Sequence, residues 1–423
     1  MDPGRTGGRD GRSVPGSPTV NHRTLQSSRR RWRTAWLWIH RWLGLVAGFC
    51  LMLIGLTGSL FVFHHEISEW VEPQHLRVEP RPGGGAAYRS WPEILAAAEA
   101  AKPTGSTIRS VLGPDHIGSA VRISYEIPGR VPEEDDSMDL CVDPYTATVL
   151  GQSRLAEHPL WKVCAFLFEL HYSFQIPKVG GTLVGILALL GLVSLVSGLW
   201  LWWPGWGRIR HAITVKRSAG SVRVNYDLHR VFGFYFVPIL GALLLSGVWM
   251  NLNGPFVATV QWLSPGTQGV EPDHGSLNSR DGSGRRSAAE TLTTVLTKYP
   301  GGRLNWASFP GESNEMFVVS QVDVGGPTWS AWAERIVTVD PFSGAILRVD
   351  DPSTRRTAGD VFLAWQWPVH SGKAFGWTGR WLVFAAGFVP LILYGTGLRI
   401  GWARRHAERK RRYRSPQNSP SAA

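Results

Sequence analysis

The 423-residue chain has few cysteines, and they are poorly spaced for metal chemistry. Cys50, Cys141 and Cys164 form no C-x-x-C pair, which argues against an iron–sulfur cluster or a structural zinc site and leaves a Cys141–Cys164 disulfide open. No G-x-G-x-x-G fingerprint follows a strand pattern, so a built-in NAD or flavin domain is not expected. Acidic residues are missing from the long apolar blocks described below. They are also scarce in three basic segments, where Asp2, Asp10, Asp227 and Glu408 stand against 23 Lys and Arg.

The bulk averages, 43% hydrophobic residues and a mean hydropathy of −0.07, would suit a soluble protein. They conceal four apolar runs: Trp42 to Phe63, Thr182 to Trp203, Val231 to Leu252 and Trp381 to Ile400. Runs of about 20 residues match the roughly 30 Å hydrocarbon core of a bilayer. The first begins too late for a signal peptide and lacks a small-residue cleavage site, so it reads as a spanning helix. Nine Lys and Arg precede it, six lie between the second and third runs, and eight follow from Arg399. The positive-inside rule then puts both termini in the cytoplasm and exports the two long intervening segments. The net charge of +12 needs no nucleic acid to explain it, and the basic tail suits anionic lipid heads.

The expected organisation is a disordered basic arm (1–30), a first span with its flanks (36–65), an exported module (66–175), a second span (182–203), a basic cytoplasmic loop (204–228), a third span (229–252), a second exported module (253–376), a fourth span (381–400) and a basic tail (401–423). Trp32, Trp36, Trp38 and Trp42 suit a membrane-interface belt. In the first module, Trp91 to Ala101 predicts a helix with proline in its first turn, and Met138 to Leu150 reads as strand, Asp-Pro turn, strand. The second module repeats this order, with a helix at Ser287 to Tyr299, a strand near Glu315 to Val322, and Asp340-Pro341 between two further strands. Asp143 and Asp340 differ by 197, His40 and His229 by 189, His171 and His370 by 199. The fold class expected is thus a mainly α membrane protein, four transmembrane helices in a tandem duplication with two exported α+β modules. The Asp-Pro pairs are read as turn formers.

Histidines carry the chemistry. His40 and His229 open the first and third spans at the cytoplasmic side. His171 and His370 precede the second and fourth at the outer side, where His64 and His65 also end the first span. Imidazoles at membrane depth are costly and usually functional. Two on facing helices can hold a haem iron axially, with small residues such as Gly44, Gly48, Gly191 and Gly233 making room for the porphyrin; glycines of this kind also serve simply to let helices approach. His40 and His65 lie 25 residues apart, roughly 37 Å along a straight helix, so one haem cannot bridge them. On an unbroken helix those 25 steps bring His65 to within roughly 20° of the His40 face. The expected ligand pairs for two b-type haems are His40 with His229 and His171 with His370. An exchange of His64 or His65 into the outer pair is the alternative, and helix-end anchoring without a cofactor is the plainer one. His75, His116, His158, His211, His274 and His406 read as solvated.

These residues also carry a resemblance. His40-Arg41-Trp42-Leu43-Gly44, Leu56-Thr57-Gly58, Leu170-His171-Tyr172-Ser173, Ser197-Gly198-Leu199-Trp200-Leu201-Trp202-Trp203-Pro204, Asp227-Leu228-His229-Arg230, Val369-His370-Ser371-Gly372 and Tyr394-Gly395-Thr396-Gly397-Leu398 resemble the PepSY-associated transmembrane helix proteins. The resemblance implies an iron-regulated inner-membrane protein with PepSY-like modules in the periplasm, some of whose relatives are haem-containing reductases that free iron from ferric siderophores. It departs after His171, where Tyr-Ser-Phe-Gln-Ile-Pro replaces a Leu-rich run. The function expected is a membrane oxidoreductase that takes electrons from an external donor, a quinol or a reductase, and passes them to a ferric siderophore or other ferric chelate. The rival readings are a non-enzymatic membrane-anchored binding or accessory protein of iron uptake, and a transporter.

Overall fold

The computed structural model describes residues 22–126, 138–268, 284–309, 316–324, 333–355 and 357–414. The first 21 residues of the expected basic arm lie outside this set, as does His274. From His22 onward the arm is already helix.

α1 (His22–Phe61) is 40 residues long and contains the first apolar run. Two residues interrupt the helix, and α2 (His64–Val71) and the short α3 (Pro73–Leu76) follow. The expected continuity through residue 65 therefore fails, and with it the rotational argument linking His65 to His40. Arg380 fixes the new direction: its guanidinium grips both Glu66 carboxylate oxygens (2.5 and 2.6 Å) and the Val62 carbonyl (2.6 Å).

α4 (Trp91–Ala101) starts at a Ser90/Glu93 capping box. Strands β1 (Thr107–Leu112), β2 (Val121–Glu126), β3 (Met138–Val142) and β4 (Val149–Gln152) follow as an antiparallel meander. Next come α5 (Pro159–Ser173), α6 (Gly180–Trp202), the short α7 (Ile209–Ala212), α8 (Ser221–Tyr235), α9 (Val237–Asn251) and α10 (Asn253–Leu263). α11 (Ala288–Lys298), again with a capping box, leads into β5 (Arg303–Ser308), β6 (Phe317–Val322), β7 (Glu334–Val339) and β8 (Ile346–Asp350). α12 (Ala358–Ala364), α13 (Gln366–His370), α14 (Gly376–Gly387) and α15 (Val389–Arg414) end the described chain.

Among the described residues three helical stretches are long and apolar enough to cross a membrane: Arg30–Phe61, Gly180–Trp202 and Lys373–Lys410. The pair α8 and α9 makes a fourth if its 62° bend is counted within one span. Pro238, which lacks an N–H, sits at the start of α9 and explains the break. These helices form a closed ring in which α1 packs on α6 and α15, α6 on α9, and α8 on α15. The α1–α14 seam is close: a Cβ on Gly55 would lie 2.6 Å from the Gly387 carbonyl, so these two glycines serve helix approach. Exposed indoles gather at both ends, Trp32, Trp38, Trp200, Trp206 and Trp402 at one and Trp70, Trp262, Trp367 and Trp377 at the other.

The two modules do not form separate sheets. Their strands make one eight-stranded antiparallel sheet, β4-β3-β2-β1-β5-β6-β7-β8. At its centre Ser110, Val111 and Leu112 pair with Ser308, Ala307 and Trp306. α4 and α11 cover one face, where Ile94, Leu95, Val111, Ile123, Leu292, Val319 and Val337 form the core. Both Asp-Pro turns are Asx turns, Asp143 accepting from Tyr145 N and Asp340 from Phe342 N, each at 2.8 Å. The three cysteines are free thiols.

Candidate functional site

Four histidines are held by one repeated device. His40 on α1 sets Nδ1 3.1 Å from the Ser194 carbonyl and 3.1 Å from Ser197 Oγ, both on α6. His229 on α8 does the same on α15, 3.1 Å from the Leu393 carbonyl and 2.9 Å from Thr396 Oγ1. His171 on α5 reaches the Ile54 carbonyl (2.9 Å) and Thr57 Oγ1 (3.4 Å) of α1. His370 on α13 reaches Ser246 Oγ on α9 at 2.8 Å, with the Leu243 carbonyl as its backbone acceptor. In each case a carbonyl at position i and a hydroxyl at i+3 of the neighbouring helix receive one imidazole.

The hydroxyls fix the tautomer. Each donates its own hydrogen to its helix: Ser197 to Ser194 O (2.9 Å), Thr57 to Leu53 O (2.9 Å), Ser246 to Ala242 O (2.8 Å) and Thr396 to Ile392 O (2.6 Å). A lone pair therefore faces the ring, so Nδ1 carries the proton and donates. Nε2 is left as an unprotonated nitrogen, and among the described residues it has no hydrogen-bond partner in any of the four rings. Metal-bound imidazoles are oriented in this way, by the N–H that does not face the metal.

All four hydroxyls precede a glycine, in Thr57-Gly58, Ser197-Gly198, Ser246-Gly247 and Thr396-Gly397. A Cβ on Gly58 would lie 2.5 Å from His171 Cε1, and one on Gly198 2.8 Å from His40 Cε1. Side chains there would displace the rings.

His40, His229, His171 and His370 all line one cavity of about 1600 Å³ that runs down the helix ring. This exceeds the roughly 300–1,000 Å³ of a single small-molecule site. The His171 and His370 ring centroids are 6.2 Å apart. His171 and His370 would together hold one cofactor metal, and His40 and His229 another. The acceptors of His171 begin at Ile54, 14 residues beyond His40 on the same helix, or roughly 21 Å, so the pairs form two tiers. Among the described residues no group of three or more His, Cys, Asp or Glu could hold a metal ion. Two imidazoles would suffice for a cofactor that brings its own further ligands, as a porphyrin does.

The chain matches the family described as the PepSY-associated TM region over residues 37–405. It belongs to that family. No curated protein matches it. As a PepSY-associated TM region protein it is a membrane protein, in contact with the lipid bilayer.

The remaining histidines of this family member behave differently. His64 donates from Nδ1 to the Phe61 carbonyl of its own chain turn (2.9 Å) and stacks on Phe61. His65 packs on His64, and burial together with that neighbour pushes its pKa down to about 3. Both line the cavity at the sheet end, but neither has the carbonyl–hydroxyl clamp, and it is His171 that stands opposite His370. His75 and His116 are not simply solvated, since Glu72 and Glu69 hold them at 2.9 and 3.0 Å. The clamping hydroxyls are the feature that histidine spacing alone did not reveal. Their signal is present: Thr57 and Ser246 differ by 189, Ser197 and Thr396 by 199, the same offsets as the histidines.

Proposed function

We propose that this protein is a dihaem oxidoreductase of the bacterial inner membrane that moves electrons across the bilayer and reduces a ferric chelate, such as a ferric siderophore, in the periplasm. The observation that carries this reading is the fourfold clamp, which presents four unprotonated Nε2 atoms to one cavity in two tiers. His40 and His229 would hold one haem b and His171 and His370 the other. Such a haem carries one electron by cycling between Fe(III) and Fe(II). The protein's part is to orient the imidazoles, supply glycine-lined walls and keep the iron from water.

The reading extends to origin and orientation. Equal offsets in ligands and clamps, together with a central β1–β5 register that pairs Val111 with Ala307, 196 residues on, support a tandem duplication. The basic termini support a cytoplasmic His40–His229 tier and a periplasmic sheet. Electrons come from an external donor, a quinol or a reductase, and weaker binding of Fe(II) by hard oxygen ligands frees the metal. Purified protein reduced with dithionite and mixed anaerobically with ferric siderophores should show reoxidation of a haem spectrum, matched by Fe(II) capture. A haem that stays reduced in excess ferric chelate contradicts the reading.

A further inference from the structure

The cavity does not stop at the His171–His370 pair. It continues to the face of the sheet opposite α4 and α11, where His64, His65, Asp115, Arg122 and Lys373 line it. Asp115 and Lys373 satisfy each other, Lys373 Nζ lying 3.3 Å from Asp115 Oδ1. Glu69, at the same end, is occupied by Ser119 (2.7 Å) and His116. Burial holds the pKa of both His64 and His65 below the usual imidazole range, so they are uncharged near neutral pH.

Arg122 is different. It projects from the second position of β2, between Leu112 of β1 and Cys141 of β3, and is half-buried. Among the described residues it has neither an acidic partner nor a hydrogen-bond acceptor, although its neighbours do. A guanidinium carries five N–H donors in a planar fork, and here they face the cavity free to take an external acceptor. The group whose shape and charge match that fork is a carboxylate.

The chamber also breaks the internal repeat. The position equivalent to Arg122, 196 residues on, is Val318; those equivalent to His64 and His65 are Asn253 and Gly254; and that equivalent to Lys373 is Phe174. The clamps are duplicated, whereas the chamber residues occur once, as suits a single asymmetric occupant.

We propose that Arg122 anchors a carboxylate-binding site between the sheet and the outer histidine pair. Two carboxylates fit: that of an external oxygen-donor chelate, and the propionate of a haem on His171 and His370. The choice of sources rests on the function proposed above; the unmatched guanidinium does not.

The test uses full-length protein in detergent and gallium(III) citrate, a carboxylate chelate that cannot be reduced, titrated by calorimetry. If the chelate is the source, Arg122→Gln lowers gallium citrate affinity by about tenfold or more with haem content unchanged, and Arg122→Lys recovers part of it. If the propionate is the source, Arg122→Gln instead lowers haem occupancy of the outer tier. Unchanged citrate affinity together with unchanged haem occupancy overturns the proposal. Should Arg122→Gln not accumulate, phenylglyoxal labelling of Arg122 in the wild type decides: slowing by citrate or by haem loading supports the site, and equal rates in all states overturn it. A haem-free protein whose citrate binding depends on Arg122 leaves this site standing while the reductase reading falls.

Discussion

At each clamped imidazole one proton is shared with the neighbouring helix. Nδ1 of His40, His171, His229 and His370 donates to a carbonyl and a hydroxyl one turn apart on the neighbouring helix. Thr57→Val keeps the shape and removes the 3.4 Å acceptor oxygen, leaving the His171 ring held by the Ile54 carbonyl alone. The expected outcome is a loss of about 10- to 100-fold in haem affinity at the outer tier only, with a shifted midpoint potential, whereas Thr57→Ser stays near wild type. Redox titration of the two variants checks this. The four histidines were legible because the chain spells them twice at fixed offsets. The hydroxyls repeat at the same offsets, yet their role needs the fold, since each imidazole is clamped by a different element from its own. Arg122 had no such signal, occurring once in a strand whose alternation gives its neighbours to the core.

Elements deviate from the sequence reading where proline or a buried ion pair acts. The Trp91–Ala101 helix and both Asp-Pro hairpins follow local rules and appear as expected. The third apolar run reads as one helix, but Pro238 splits it into α8 and α9. The first ends at Phe61 because Arg380, some 320 residues away in sequence, seizes Glu66 and Val62. Composition cannot foresee such a contact. The α1–α14 seam gives a sharp test of helix packing. A Cβ on Gly387 would overlap Ser59 Oγ and the Gly55 carbonyl, whereas one on Gly395 meets nothing within 4 Å. Gly387→Val is therefore expected to cost about 1–3 kcal/mol or more, read as a lowered thermal midpoint in detergent. Gly395→Ala should stay within about 0.5 kcal/mol of wild type.

For the whole molecule, the sequence indicated two modules and four apolar runs but not how the modules meet. The fused sheet depends on the Val111–Ala307 pairing, which joins residues in separate modules and carries no local signature. Fusion caps the helix ring at one end and leaves one cavity reaching from the paired histidines to the sheet. His40 thus sits at the end of the bundle remote from the sheet, and the second pair stands between it and the chamber that Arg122 lines. The most direct measurement is haem stoichiometry, by pyridine haemochrome assay on purified protein, for the wild type and for His40→Ala and His370→Ala. The expected content is about two haems b per chain, falling to about one in each variant while near-ultraviolet circular dichroism stays native. A wild type without haem, or loss of all haem from either variant with the fold intact, contradicts it.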